Sequence, residues 1–313
     1  MLYIIHMMPL IHKTRRLKAM KNKTRSSKNG GARAAYKYKS KSKPNTNTPI
    51  KDLPEDVMKY SMGFIRPALD NKSIRKAVKD YIEGGPKKKA VIETYGKIEN
   101  WDTSRVTDMS NLFKSTKINE DISNWDVSSV TDMGGMFYLA NVFNQDISKW
   151  DVSNVTYMAG MFAYAVSFNQ PIGKWEKKTS KVNSMMSMFL GAVSFNQPIG
   201  GWDVSNVTNM EYMFSYARYF NKPIGGWDVS NVTNMEEMFR DAMNFNSPIN
   251  KWDVSNVKNM NRMFEHNFTF GKFNKKLTTW GDKLPKNANV RGMFDGMKPD
   301  IVKKIAPWYS TRN

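Results

Sequence analysis

Residues 195–214 read FNQPIGGWDVSNVTNMEYMF, and closely similar strings recur through the last two-thirds of the chain. A tryptophan returns at intervals of 24 to 28 residues, and the repeated tryptophans are Trp101, Trp125, Trp150, Trp175, Trp202, Trp227, Trp252 and Trp280. A fixed period of this length is typical of repeat proteins, in which one unit buries its apolar face only against its neighbours. The sequence therefore predicts a stack of about eight coils, and such a stack favours recognition or assembly over catalysis.

The apolar positions within one coil predict a short strand followed by a short helix. Trp202 and Val204 alternate with polar residues, as expected for a strand with one buried face. Residues 210–217 carry apolar side chains three, four and seven positions apart, which is the spacing of one helical face. Thr208 and Glu211 have the spacing of a capping box that would start this helix. The sequence therefore predicts an α/β repeat solenoid of the leucine-rich-repeat type.

The recurring string Phe-Asn-Gln-Pro-Ile-Gly-x-Trp-Asp-Val-Ser-Asn-Val-Thr-Asn-Met-x-x-Met-Phe resembles the BspA-like leucine-rich-repeat surface proteins. The resemblance is strongest to the branch first noted in mycoplasma lipoproteins, which also occurs in algae, other protists and large DNA viruses. It covers about residues 98–294 and implies a right-handed solenoid used for adhesion or protein interaction, with no known common activity. This chain has no cysteine, so no lipobox is expected, and no signal peptide is predicted.

Composition divides the chain into four segments. Residues 1–50 are expected to form a disordered or extended basic arm, and residues 51–97 a small helical cap. In the cap, an amphipathic helix is predicted to begin at Ser73 and to stop at Gly84, and a second helix to run from about residue 87 to residue 95. Residues 98–294 are the predicted repeat solenoid, and residues 295–313 are the predicted C-terminal cap.

The arm supplies most of the net charge of +20, because it contains 13 Lys and Arg residues and no acidic residue. Residues 101–294 are nearly neutral, with 20 basic and 18 acidic residues. We expect the arm to dock on an acidic protein surface or on nucleic acid, with a solvated tail as the alternative. Its candidate binding residues are Arg15, Arg16, Lys18, Lys21, Lys23, Arg25, Arg33, Lys37 and Lys39.

An acidic ladder is formed by the residues that directly follow seven of the eight repeated tryptophans. Serine stands two residues further on in most repeats. Stacked carboxylates repel one another, so we expect hydrogen bonds from the serines and turn amides, a basic partner, or calcium to compensate them. The first of these interpretations is favoured. The ladder is also the candidate partner surface of the repeats, and its aspartates are Asp102, Asp126, Asp151, Asp203, Asp228 and Asp253, with Glu176 in the divergent repeat.

The pattern of reactive residues does not predict catalysis. The three histidines, His6, His12 and His266, do not combine with other residues into a nucleophilic triad or a metal cluster, and no glycine-rich nucleotide loop is present. The lack of cysteine excludes disulfides and thiolate metal sites. The sequence therefore predicts a protein that is not an enzyme and that has no cofactor and no metal.

The expected function is a non-enzymatic protein-interaction or structural scaffold. The repeats would recognise protein partners, and the basic arm would dock on an acidic or anionic one. A minor capsid-associated protein of a large DNA virus is the favoured setting, because the family occurs there and basic arms thread such assemblies, so a virion or intracellular location is favoured. A cell-surface or secreted adhesin is the alternative. The apolar residues 1–12 are too few to cross a bilayer, so no transmembrane segment is expected.

Overall fold

The computed structural model describes residues 66–266 and 271–312, which belong to a compact unit that spans residues 64–313. The basic arm of residues 1–50 and the first part of the expected helical cap lie outside the described residues. The α-helices of the described part are α1 (Asn71–Glu83), α2 (Gly85–Tyr95), α3 (Trp280–Lys283) and α4 (Pro299–Ile305). Short 3₁₀ helices span Ile98–Asn100, Ile172–Trp175 and Tyr309–Thr311.

Helix α1 begins one turn earlier than the sequence analysis placed it. Asp70 is the N-cap, and its side chain accepts hydrogen bonds from the backbone amides of Lys72 at 3.1 Å and Ser73 at 2.7 Å. Ser73 completes the capping box, because its Oγ accepts from the amide of Asp70 at 2.8 Å. Ser73, which was expected to be the N-cap, is thus the third helical residue and pairs with the N-cap Asp70. The helix ends at Gly84, whose φ of 83° lies in the region that favours glycine.

The predicted α/β leucine-rich-repeat solenoid is wrong for the described residues. They contain no strand, and the β pairing between successive repeats consists of isolated parallel bridges such as Asn209↔Asn234 and Asn234↔Asn259. Residues 210–217, which were expected to be helical, form a series of tight turns, so the capping-box spacing of Thr208 and Glu211 does not start a helix. What survives from the prediction is the inward direction of Trp202 and Val204, both of which are buried.

The backbone hydrogen bonds of the turn explain why no helix forms. The amides of Met210, Tyr212, Phe214 and Tyr216 donate to carbonyls of the next repeat at 2.8 to 2.9 Å. Of the amides between them, Met213 and Ser215 donate three residues back, at 3.2 and 3.1 Å, and Glu211 donates to the side-chain oxygen of Asn209 at 2.9 Å. A helix would use every one of these amides within its own segment. Here half of them join neighbouring repeats, and the same alternation recurs along the stack.

Columns of stacked aromatic rings fill the core. One column has ring centroids 5.6 to 5.7 Å apart and consists of Phe113, Phe137, Phe162, Phe189, Phe214, Phe239, Phe264 and Phe294. A second column, with spacings of 5.9 to 6.1 Å, consists of Phe143, Phe168, Phe195, Phe220, Phe245 and Phe273. The repeated tryptophans are also buried, and the indole Nε1 of Trp227 donates to the carbonyl of Ile199 in the preceding repeat at 3.1 Å.

Side chains from outside the regular repeats pair with both ends of the stack. At the first repeat, Asn71 Oδ1 of α1 accepts from the amides of Thr107 at 2.8 Å and Asp108 at 3.1 Å, where a preceding repeat would supply a carbonyl. At the last repeat, the indole of Trp308 donates to the carbonyl of Leu277 at 2.8 Å, as the repeated tryptophans do to their neighbours. Trp308 follows Trp280 by 28 residues, a spacing that the sequence analysis overlooked.

Candidate recognition surface

The acidic ladder makes short hydrogen bonds within its own repeats. Asp228 Oδ1 accepts from the backbone amide of Ser230 at 3.0 Å and from its hydroxyl at 2.6 Å. Asp102, Asp126 and Asp203 make the same pair of bonds, whereas Asp151 and Asp253 accept from the serine amide alone. The hydroxyl bond from Ser230, followed by its amide bond, lowers the pKa of Asp228. These contacts give the ladder a local structural role, and its binding to a basic partner stays a prediction.

Asparagines, which the sequence analysis did not single out, join the repeats on two sides. In one column the side-chain oxygen of each asparagine accepts from the backbone amide of the next, as Asn196 does from Asn221 at 3.0 Å. In the other, the side-chain nitrogen of Asn231 donates to the carbonyl of Ser205 in the preceding repeat at 2.7 Å. The sequence signal was that the first column recurs from repeat to repeat and that the second recurs at Asn154, Asn206, Asn231 and Asn256. Repeated polar residues thus hold the stack together, and recognition has to be sought at positions that do not repeat.

Four positions of each repeat vary in type, and we call the surface that they form the variable face. They are the two residues after the first methionine of the Met-x-x-Met-Phe turn and the two residues after its phenylalanine. In the repeat that begins at Met210 these are Glu211, Tyr212, Ser215 and Tyr216, of which Ser215 is fully buried and the other three are half-buried. The residues between them point into the core, because Met210, Met213 and Phe214 are fully buried. The variable face therefore lies over the turn that carries the backbone bonds between repeats.

The middle repeats give the variable face an apolar half, defined by Tyr138, Leu139, Tyr164, Met186 and Leu190. All five side chains are half-buried, and the neighbouring Tyr157 is 40% exposed. Glycines leave room for the rings, since a Cβ at Gly191 would lie 2.6 Å from the ring of Tyr164. Tyrosine and methionine are enriched in protein–protein interfaces. This half therefore has the composition of a surface that another protein covers.

The following repeats give the variable face a charged half, defined by Glu211, Tyr212, Glu236, Glu237, Arg240, Asp241, Arg262, Glu265 and His266. The guanidinium of Arg240 binds Glu237 at 2.8 Å and Glu265 at 3.3 Å, and it lies over the ring of Tyr216. Arg262 approaches Glu265 from the other side at 3.4 Å. Burial raises the pKa of Glu265, and the two arginines oppose that rise.

Glu211 and Glu236 differ from these ion-paired carboxylates. Amide nitrogens of the next repeat bind both, with Asn234 donating to Glu211 at 2.9 Å and Asn259 donating to Glu236 at 2.8 Å. Neither forms an ion pair with a lysine or arginine among the described residues. Burial, followed by the charge of Glu236, raises the pKa of Glu211. The phenol of Tyr212 beside them has its pKa raised to about 12 by burial and then by the nearby glutamates, so it stays protonated at neutral pH.

His266 closes the charged half at its last described repeat. The side chain is only 6% exposed, and within the described residues neither ring nitrogen has a hydrogen-bond partner. Burial lowers the pKa of His266, and the nearby Asp241 opposes that effect, so the imidazole is neutral at pH 7. The residues that the structure describes contain no group of three or more His, Cys, Asp or Glu side chains that could hold a metal ion.

Stacked coils, aromatic columns and one variable face define a repeat protein. The family model described as "Mycoplasma protein of unknown function, DUF285" matches residues 87–199 and 184–308, which together make up well over half of the chain. The chain therefore belongs to this Mycoplasma-associated repeat family. Neither the curated proteins nor the solved structures include a significant match. Among the described residues, no helix is both long enough and apolar enough to cross a membrane.

Proposed function

We propose that this protein is a non-enzymatic binding scaffold that recognises a protein partner through the variable face. The observation that carries the proposal is that repeated and variable positions differ in what their side chains contact. Repeated polar residues such as Asp228 and Asn231 are bonded to their own stack. The variable positions instead include half-buried tyrosines, Met186, Leu190 and a set of fixed charges. Tyrosine, methionine and arginine are enriched in protein–protein interfaces, and tyrosine and arginine are enriched in hot spots.

The sequence resemblance to BspA-like proteins independently supports a role in protein binding. BspA-like repeat proteins are used in adhesion or protein interaction, and the recurring string of this chain is similar to theirs. The basic arm complements the scaffold in this proposal, because 13 basic residues without an acid attract an acidic protein surface or nucleic acid. Two settings follow from the resemblance, a particle of a large DNA virus and a cell surface. Mass spectrometry of purified particles and of surface fractions from the native source distinguishes them.

Site-specific photo-crosslinking in the native source tests the proposed surface. A crosslinking residue replaces Leu190 or Tyr138 on the variable face in one set of proteins. In the matched set it replaces Lys149 or Lys251, which are exposed residues outside that face. We expect the first set to capture a defined protein that the second set does not. Capture from Lys149 and Lys251 alone, or no capture from either set, would contradict the proposal.

A further inference from the structure

The variable face changes character at one boundary between neighbouring repeats. Met186 and Leu190 end the apolar half, and the next repeat begins the charged half with Glu211 and Tyr212. The boundary is sharp, because the two repeats are in direct contact through the rings of Phe189 and Phe214 at 5.6 Å. A partner that crosses it meets apolar side chains first and carboxylates immediately afterwards.

The carboxylates at this boundary are held in fixed positions but are not neutralised by cations. Asn234 holds Glu211 through its side-chain nitrogen while its side-chain oxygen accepts from the amide of Glu236 at 3.0 Å. Asn259 and Asn261 hold the two oxygens of Glu236 at 2.8 and 3.0 Å. Amides fix the direction of a carboxylate without removing its charge. In the described part of the chain, the nearby arginines Arg240 and Arg262 are instead paired with Glu237 and Glu265.

We propose that the variable face binds an extended protein segment in which an apolar residue is followed by lysine or arginine. The apolar residue packs on Met186 and Leu190, and the cation binds Glu211 or Glu236 through charge complementarity. This inference rests on the proposed function and names the chemistry of its partner. The fixed positions of the carboxylates favour binding of the cation, because their side chains lose little conformational entropy when it binds.

The spacing of the repeats sets the spacing within the bound segment. Glu211 lies one repeat beyond Leu190, and Glu236 lies two repeats beyond it. These steps measure 5.6 Å between Phe189 and Phe214 and 5.7 Å between Phe214 and Phe239. An extended chain running along the stack advances by about 3.3 Å per residue. The cation therefore stands two or three residues after the apolar anchor.

Binding of synthetic peptides to the full chain, followed by fluorescence anisotropy, tests the inference. The probes are short peptides that begin with a Leu-Tyr anchor. The second and third residues after the leucine are both lysine in one peptide, both serine in another and both glutamate in a third. We expect the lysine peptide to bind about tenfold more tightly than the serine peptide, and the glutamate peptide to bind most weakly. Added salt should reduce the difference, since the carboxylates remain partly exposed.

Variants separate this inference from the proposed function. Glu211→Gln with Glu236→Gln leaves one acceptor oxygen at each position, so the bond from Asn234 to residue 211 and one of the two bonds from Asn259 and Asn261 to residue 236 can be kept. The double change should abolish the preference for lysine, whereas the control Glu93→Gln on α2 should leave it intact. Equal binding of the lysine and glutamate peptides, a lysine preference that survives the double change, or no binding of the lysine peptide would overturn the inference. Binding that ignores charge but is lost with Leu190→Ser would overturn it and leave the proposed surface standing.

Discussion

The repeated positions and the variable face lie on the same coils but use their polar groups in opposite ways. An acidic residue stands at the position of Asp228 in seven of the eight repeats and asparagine at the position of Asn231 in four, and their hydrogen bonds end within the stack. The position of Glu211 and Glu236 carries glutamate in these two repeats alone, and both side chains are half-buried with no ion pair to a described lysine or arginine. The difference teaches that recurrence marks the parts of this chain that build the stack. Positions whose residue type varies between repeats are not needed to build the stack, so they can determine which partner is bound.

The largest effect is expected where the repeats share their core. Phe214 contacts four rings, with centroids at 5.6 Å to Phe189, 4.1 Å to Phe220, 5.7 Å to Phe239 and 6.3 Å to Trp227. Phe214→Ala should lower the free energy of unfolding by about 3–5 kcal/mol, because the rings on both sides lose their contact with a fully buried side chain. Urea unfolding measures it. Tyr219→Ala, at a side chain 52% exposed, is the control and should cost less than about 1 kcal/mol.

A smaller effect is expected from Arg240 in the charged half. Arg240→Met leaves Glu237 and Glu265 without their shared cation, and both carboxylates are largely buried. We expect a loss of about 2–4 kcal/mol at pH 7 by urea unfolding, whereas Lys251→Met at an exposed position should change little. A loss below about 1 kcal/mol would mean that the ion pairs contribute little to the stack.

The pH dependence of the Arg240→Met variant follows from Glu265. The pKa of Glu265 is raised above 4.5 by burial, so its protonated form favours folding. Its contribution is present below pH 4.5 and is lost as the pH rises through the folded pKa. Removing Arg240 should raise that pKa further. The destabilisation of the variant should therefore be smaller at pH 4.5 than at pH 7, and an equal loss at both would contradict this account.

A still smaller effect is expected from the acidic ladder. Asp228→Asn should cost about 0.5–1 kcal/mol, because the lost charge-assisted bonds to Ser230 are exposed to solvent. The pKa of Asp228 is lowered below 3.8, so its contribution is present above pH 3.8 and is lost as the pH falls through the folded pKa. Thermal unfolding of both proteins should converge below that pH. If the ladder instead bound calcium, a chelator would lower the melting temperature of the unmodified protein, which we do not expect.

Core positions could be predicted from the sequence, whereas the conformation of the turns could not. Trp202 and Val204 are buried, as their alternation indicates. The methionines at helical spacing are buried as well, but tight turns of this kind also place every third or fourth side chain inward. Amides of the turn donate to the next repeat, as Phe214 does to Met238 at 2.9 Å, and a reading of one repeat by itself cannot reveal such bonds.

The recognition surface was overlooked for a related reason. The recurring residues indicated the acidic ladder, whereas leucine stands at the position of Leu190 in that repeat alone. Glutamate stands at the position of Glu211 and Glu236 in these two repeats alone, and Glu211 was interpreted as a capping residue. Comparing the repeats position by position would have separated the two sets. Trp308 was overlooked because the residues around it in the sequence do not match the repeated string. Its indole nevertheless donates to Leu277 as the repeated tryptophans do to their own neighbours.

No effect on the stack is expected from the basic arm. Deleting residues 1–49 should leave the thermal transition of the repeats unchanged, because the repeats belong to a compact unit that begins at Phe64. The deletion should weaken binding to duplex DNA or another polyanion. For the full chain, log K should fall with log salt by about 0.9 for each phosphate contacted. Salt-insensitive binding, or full binding by the shortened chain, would contradict the electrostatic role of the arm.

The most direct test of the division between repeated and variable positions is to measure stability and partner binding on the same two variants. Met186→Ser with Leu190→Ser changes the variable face, and Asn231→Ala removes a bond between repeats. The first should reduce capture of the crosslinked partner at least about tenfold with little change in the melting temperature. The second should lower the free energy of unfolding by about 1 kcal/mol and leave capture unchanged. Partner capture that falls with Asn231→Ala and not with the variable-face variant would contradict the account.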